Sequence, residues 1–180
     1  HKRNVNHPAV LAKGLLGAEP QISDEHALVV DAERVKLTRE YFQLHHRRLA
    51  KKLPAGTSAE VIEFEPRMVV VHFTVIPTLE KVVRYFHPNQ LDASRTTIKK
   101  NGVLNVGVQF IVDRDGSIYR FYPENVMSRH VIGLNHVAIG IENVGNSDLG
   151  VAESGIRKPL TPAQLDANEA LIRYLASKYP

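Results

Sequence analysis

The chain has 180 residues, 43% of them hydrophobic, with no Cys, no Trp and a formal charge of +4. That length and apolar fraction suit one domain that buries its core without disulfides, and they exclude disorder, collagen and coiled coil. The missing Cys excludes thiolate zinc sites, CxxC redox chemistry and cysteine nucleophiles, and no apolar run reaches the roughly 18 residues of a membrane span.

In chain order, residues 1–27 carry Gly, Pro and polar residues without periodicity and read as an arm or loop. Residues 31–53 predict a helix: Phe42, Leu49 and Leu53 share a stripe, with Tyr41 and Leu44 beside it, and Pro54 and Gly56 end it. His45 and His46 lie within it and read as ordinary helix histidines rather than metal ligands. The basic excess gathers here, at Arg47, Arg48, Lys51 and Lys52. A solvated helix face accounts for that cluster better than nucleic acid does, because no aromatic interleaving or nucleic-acid motif accompanies it.

The β-branched run 68–75, MVVVHFTV, predicts a buried central strand, in which His72 is conspicuous. A second helix follows, with Leu79, Val82, Val83 and Phe86 at helical spacing, closed by His87-Pro88. Strands at 106–112 and 117–122 flank the turn Asp113-Arg114-Asp115-Gly116, a hairpin signal. The loop 123–136 holds His130, Gly133 and His136; His136 reads as a structural loop histidine. Residues 138–144 form another apolar strand, with one acid, Glu142. A Gly-rich loop, 145–160, leads to the last helix. There Thr161 is the N-cap, Pro162 opens the helix and Gln164 completes a capping box. Leu165, Leu171, Ile172 and Leu175 are its expected apolar face. The pattern is mixed α/β: a central β-sheet flanked by helices.

Two polar residues inside apolar strands, His72 and Glu142, demand partners, since burial of an unpaired carboxylate or imidazole is costly. Either alone reads as a satisfied core residue. Together they suggest a site at the end of a sheet, where a metal and a general base meet. No GxSxG elbow, Walker A loop, HExxH helix or dinucleotide fingerprint is present.

In order, His72 in VVVHFT, the hairpin VGVQFIVDRDGSIYRFYPE, the loop SRHVIGLNH and the strand AIGIENVGN resemble the zinc-dependent N-acetylmuramoyl-L-alanine amidases. That group also contains phage amidase lysozymes and peptidoglycan recognition proteins. The likeness runs from residue 68 to residue 180. It implies an amidase catalytic domain over 61–180 preceded by an N-terminal extension and helix over 1–60. It implies hydrolysis of the amide between N-acetylmuramic acid and L-alanine in peptidoglycan or muropeptides, with Zn²⁺ as cofactor. By position, it makes His72 a zinc ligand and Glu142 the general base of the bacterial, Glu-dependent branch. His130 becomes an oxyanion or substrate-binding residue, and Asn143 a cleft-lining one. Val108 stands where phage members often carry a catalytic Tyr. The remaining zinc ligands are expected after Pro180, so the C-terminal part of the fold is expected to be missing and the chain to be part of a longer precursor. The alternative is a non-catalytic peptidoglycan-binding module, motivated by the same incomplete ligand set. The implied location is the periplasm, the outer envelope or outside the cell.

Overall fold

The computed structural model describes residues 17–47, 62–145 and 160–180. Leu49, Leu53, Pro54, Gly56, Arg48, Lys51 and Lys52 lie outside the described residues, as does most of the Gly-rich loop.

The strands are β1 (Ile22–Ser23), β2 (Met68–Phe73), β3 (Phe110–Val112), β4 (Ile118–Arg120) and β5 (Ala138–Asn143). They form one five-stranded mixed sheet in the order β1-β4-β3-β5-β2. Only the β3–β4 hairpin is antiparallel. Its turn works as the sequence requires, with Gly116 at φ +89. The helices are α1 (Ala32–His45), α2 (Leu79–Phe86), α3 (Thr96–Lys99) and α4 (Pro162–Lys178).

Strand alternation sorts the core into two faces. Phe110, Val112, Ile139 and Ile141 pack against Leu171 and Leu175 of α4. Ile111 of β3 faces the other way, into a cluster with Leu79, Val82 and Phe86 of α2. By the same alternation Gly140 and Glu142 lie on the α2 side of β5. A third cluster, under α1, joins Leu37, Tyr41 and Phe42 to Leu104 and Met127.

Three expectations are corrected. The run around His72 is not a central strand: β2 is the sheet's outer strand, with Met68 and Val71 exposed. A β-branched run reports strand propensity, which does not by itself distinguish an edge from a centre. β2 also stops at Phe73, before Val75, which turns into the left-handed region at φ 57. The central position belongs to β3, and β5, between β3 and β2, has all six of its residues buried. On α4 the cap is as expected, with both halves of the capping box formed. Its buried face, however, is Gln164, Asn168, Leu171, Tyr174 and Leu175, while Leu165 and Ile172 are exposed. Gln164 and Asn168 are buried because they serve the sheet. The Gln164 amide donates to the carbonyls of Val112 and Val144, and Asn168 donates to Asn143 Oδ1.

The third correction concerns the segment before α1, which is not merely an arm: β1 adds a parallel strand beside β4. Two residues are too few to show periodicity. α1 is capped by Asp31, whose side chain accepts from Arg34 N. Arg34 itself is fully buried, and its guanidinium donates to the carbonyls of Phe86, His87 and Pro88 at the end of α2. Those are the carbonyls a helix terminus leaves unpaired. Among the described residues, no helix is long and apolar enough to cross a membrane.

Candidate active site

Parallel pairing of β2 with β5 sets His72 directly opposite Glu142. In-register neighbours project to the same side of a sheet, so the two polar residues share one face. His130 arrives from the loop between β4 and β5, and its Nδ1 lies 3.0 Å from His72 Nε2. A cleft of about 460 Å³ opens over the three, with Val108, Tyr85 and Arg95 among its other walls.

Several residues without obvious catalytic chemistry hold this arrangement. Gly140 leaves the space that the His130 ring fills: a Cβ there would meet His130 Cγ at 2.9 Å and Val108 Cγ1 at 3.0 Å. The buried Asn135 side chain accepts from the backbone N–H of His130 at 2.9 Å and of Val131 at 2.7 Å. Its amide donates to the Tyr41 hydroxyl, which ties the loop to α1. Buried Gln109 accepts from Gly140 N and donates to the Val126 carbonyl. Arg129, beside His130, is spent on the carbonyls of Ile98, Gly102 and Leu104. Gly140 was detectable in the sequence as a glycine interrupting a β-branched strand. Asn135 and Gln109 carried no comparable signal.

Burial dominates the electrostatics. It raises the Glu142 carboxyl to about 8, so the group is protonated at neutral pH in the absence of a nearby cation. Burial lowers His72, and it lowers His130 to about 4, against the opposing hydrogen bond to Ala138. Both rings are therefore neutral at pH 7. The neutral His130 ring has one N–H and one lone pair. Its Nε2 lies 3.1 Å from the Ala138 carbonyl, which can only accept, so Nε2 carries the proton. Nδ1 then accepts from His72 Nε2–H. Both nitrogens of His130 are engaged, and neither is free to donate to an oxyanion in this arrangement.

The metal expectation meets a limit in the same atoms. His72 Nε2 points at His130, and no group of three or more His, Cys, Asp or Glu side chains among the described residues is placed to hold a metal ion. Hydrolytic zinc normally has three protein ligands. The described residues alone do not fit zinc.

Asn143 does not join the site. It follows Glu142 in β5, so alternation turns it to the α4 face, where it is fully buried. Its amide donates to the His72 carbonyl, and its Oδ1 accepts from Asn168 at 2.7 Å. The same period-2 rule, applied to the sequence, separates Glu142 from Asn143. His45 donates to the Asn101 carbonyl. His46 and His136 lie ring against ring, with centroids 4.2 Å apart. None of the three lines the cleft.

A family model described as N-acetylmuramoyl-L-alanine amidase matches residues 63–180. The endolysin of Escherichia phage T7 is 35% identical over 82 residues, which are 45% of this chain and 52% of that protein. The endolysin of Enterobacteria phage T3 is 29% identical over 127 residues, covering 66% of this chain and 74% of that protein. The chain thus spans about half the length of the T7 relative. Among solved structures, the endolysin amidase LysCS from Clostridium intestinale is 33% identical, with 64% of each chain covered and a TM-score of 0.44. A bumblebee peptidoglycan recognition protein is 23% identical, with 66% of this chain and 67% of that one covered and a TM-score of 0.46.

Proposed function

The chain belongs to the N-acetylmuramoyl-L-alanine amidase family, and from that premise we propose that it hydrolyses the amide between N-acetylmuramic acid and L-alanine of peptidoglycan or its muropeptides. The observation that carries this reading is the convergence of His72, His130 and Glu142, from two paired strands and a loop, on one cleft. Residues 61–180 are the catalytic part, and Tyr41 of the preceding helix buttresses its His130 loop through Asn135. The site of action is the cell wall, reached from the periplasm, the outer envelope or outside the cell.

Glu142 is the proton carrier. As the water oxygen bonds to the amide carbon, its proton passes to the Glu142 carboxylate. As the C–N bond breaks, that proton goes to the departing nitrogen. The products are a muramic carboxylic acid and a peptide with a free N-terminal amine. A carboxyl held near 8 by burial serves as a base at neutral pH only when a positive charge is brought close. Zinc belongs to the reading on the family resemblance: His72 would be one ligand, and the ion would supply Lewis acidity and that positive charge. His130 contacts substrate: once His72 Nε2 is drawn elsewhere, His130 Nδ1 accepts a substrate N–H. An oxyanion role for His130 requires its Nε2–H to leave Ala138.

One observation favours a second reading, a module that binds peptidoglycan without cleaving it: both His130 nitrogens are already engaged within the protein. Mass spectrometry of muropeptides incubated with the full protein separates the two. Cleavage is expected from the parent, falling by about 10²–10⁴-fold in Glu142→Ala with binding retained. Turnover preserved in Glu142→Ala would sink the proton-transfer role. Binding without any product from the zinc-loaded parent would establish the second reading.

A further inference from the structure

α1 stands before residues 63–180, the part of the chain that matches the family model, yet it is tied to two elements that line the cleft. The first tie is the buried Arg34. Its guanidinium donates to carbonyls at the end of α2, the helix that gives Tyr85 and Phe86 to the cleft. The second tie, about two turns on, is Tyr41, whose hydroxyl accepts from the Asn135 amide at 3.2 Å. The Tyr41 ring is held on its own account. The Arg129 guanidinium carbon lies 4.7 Å from its centroid, and the His45 ring centroid 4.3 Å from it. Both ties are polar and buried, so they fix α1 in one register on the domain.

The chemistry of Asn135 gives the second tie its consequence. Its Oδ1 accepts from the backbone N–H groups of both His130 and Val131. Those groups only donate, so the amide oxygen must face them and the Nδ2 end must face Tyr41. Asn135 is fully buried. A turn of its amide would release two N–H groups and strand Nδ2 in the interior at the same time. The Tyr41 hydroxyl, by engaging Nδ2, holds the amide against that turn. The Gly140 seat receives the His130 ring, but it limits the ring from one side only. The backbone of His130 is fixed by Asn135.

Taking the amidase reading as its basis, we infer that α1 is a working part of the site: through Tyr41 and Asn135 it holds His130 against the substrate. Tyr41 and Asn135 are positioning residues, and neither needs to touch substrate. The link joins a helix outside the matched residues to a loop inside them, so the cleft depends on a segment beyond the matched domain.

The test uses the full protein with zinc added and measures muropeptide cleavage, muramyl-peptide binding by calorimetry, and amide hydrogen exchange by NMR. Tyr41→Phe keeps the ring and removes the hydroxyl. It should raise KM about 5-fold and leave kcat within about 2-fold, because His130 contributes a substrate contact. Asn135→Ala frees both N–H groups and should raise KM by about 10–30-fold. In Tyr41→Phe the amides of His130 and Val131 should exchange about 10-fold faster, with the β5 amides unchanged. Leu37→Val trims the apolar cluster that also holds Tyr41 and leaves the polar link intact, so its KM should equal the parent's. Tyr41→Phe with parental KM and parental exchange overturns the inference. So does exchange that quickens evenly through the sheet, or a Leu37→Val variant whose KM rises as much, since either reports general loosening. Absence of product from the parent counts against the amidase reading alone. The link is then read from the muramyl-peptide Kd and the two amides, and an unchanged Kd in Tyr41→Phe overturns it.

Discussion

Two pairs of histidines stand among the described residues, and their difference separates a site from a packing contact. His72 and His130 meet edge to face, at 85°, with Nε2 and Nδ1 3.0 Å apart. His46 and His136 sit closer by ring centroid, 4.2 Å against 5.2 Å, yet His46 Nε2 and His136 Nδ1 are buried with no hydrogen-bond partner. Ring proximity is therefore the poorer guide. The first pair opens on a cleft that it shares with a buried carboxyl; strand register aims His72 and Glu142, and the Gly140 seat and Asn135 hold His130. The second packs the end of α1 against the loop before β5, where an imidazole serves as a flat, mostly apolar filler.

The largest expected effect tests the carboxyl that distinguishes the first pair. With zinc removed by a chelator, Glu142 titrates near 8 in the folded chain, against an ordinary value of 4.5. Its folded pKa is raised, so its contribution to stability is complete below 4.5 and is lost as pH rises through 8. Glu142→Gln removes that titration. The variant should match the parent near pH 4 and exceed it by about 5 kcal/mol near pH 9, read by denaturant unfolding. The histidines contribute in the opposite sense, with stability lost as pH falls, but they do so equally in both proteins and cancel. A gap that does not change with pH would mean that Glu142 has a charged partner in the folded state.

A smaller effect is expected at the seat of His130. Gly140→Ala places a methyl 2.9 Å from the imidazole Cγ, with Val108 closing the other side. The ring must lift, at a cost of about 1–3 kcal/mol in stability. Muropeptide cleavage should drop about 10–100-fold. The lifted ring is also less buried, so its NMR titration should move up from about 4 toward the ordinary 6.5. Unchanged cleavage with the titration shifted would show that His130 is not positioned for the reaction.

What the chain disclosed about itself follows from how local each signal was. Helix caps, the Asp-Gly turn and the polar residues within apolar runs are local, and α2, α4, the hairpin, His72 and Glu142 were all legible. Strand order is not local: nothing within 68–75 says that β2 pairs on one side only, or that its register sets His72 against Glu142. Counting apolar residues misplaced the inner face of α4, because Gln164 and Asn168 are buried to satisfy the ends of β3 and β5. Arg34 was invisible for the same reason, a charged residue buried against carbonyls from a distant helix end. Asn143 was a different kind of error, since adjacency in a strand means opposite faces.

The smallest effect falls on the second histidine pair, and it separates the two pairs most directly. Burial, then the neighbouring His136 and His45, lowers the His46 pKa. Its stabilising contribution is therefore complete above the ordinary 6.5 and is lost as pH falls below it. Phe at this position keeps a ring between Phe42 and His136 and removes a buried nitrogen that has no partner. Replacing an unsatisfied polar atom with carbon of similar shape is neutral or favourable. His46→Phe should thus melt at or slightly above the parent temperature at pH 7, a gain of about 0–1 kcal/mol, and the gain should widen toward pH 5. Muropeptide cleavage should be unaltered, whereas His72→Phe, a change of the same chemistry in the other pair, removes the atom that meets His130. If His46→Phe loses cleavage while keeping its fold, the two pairs are coupled through the loop that joins His130 to His136, and the second pair is part of the site after all.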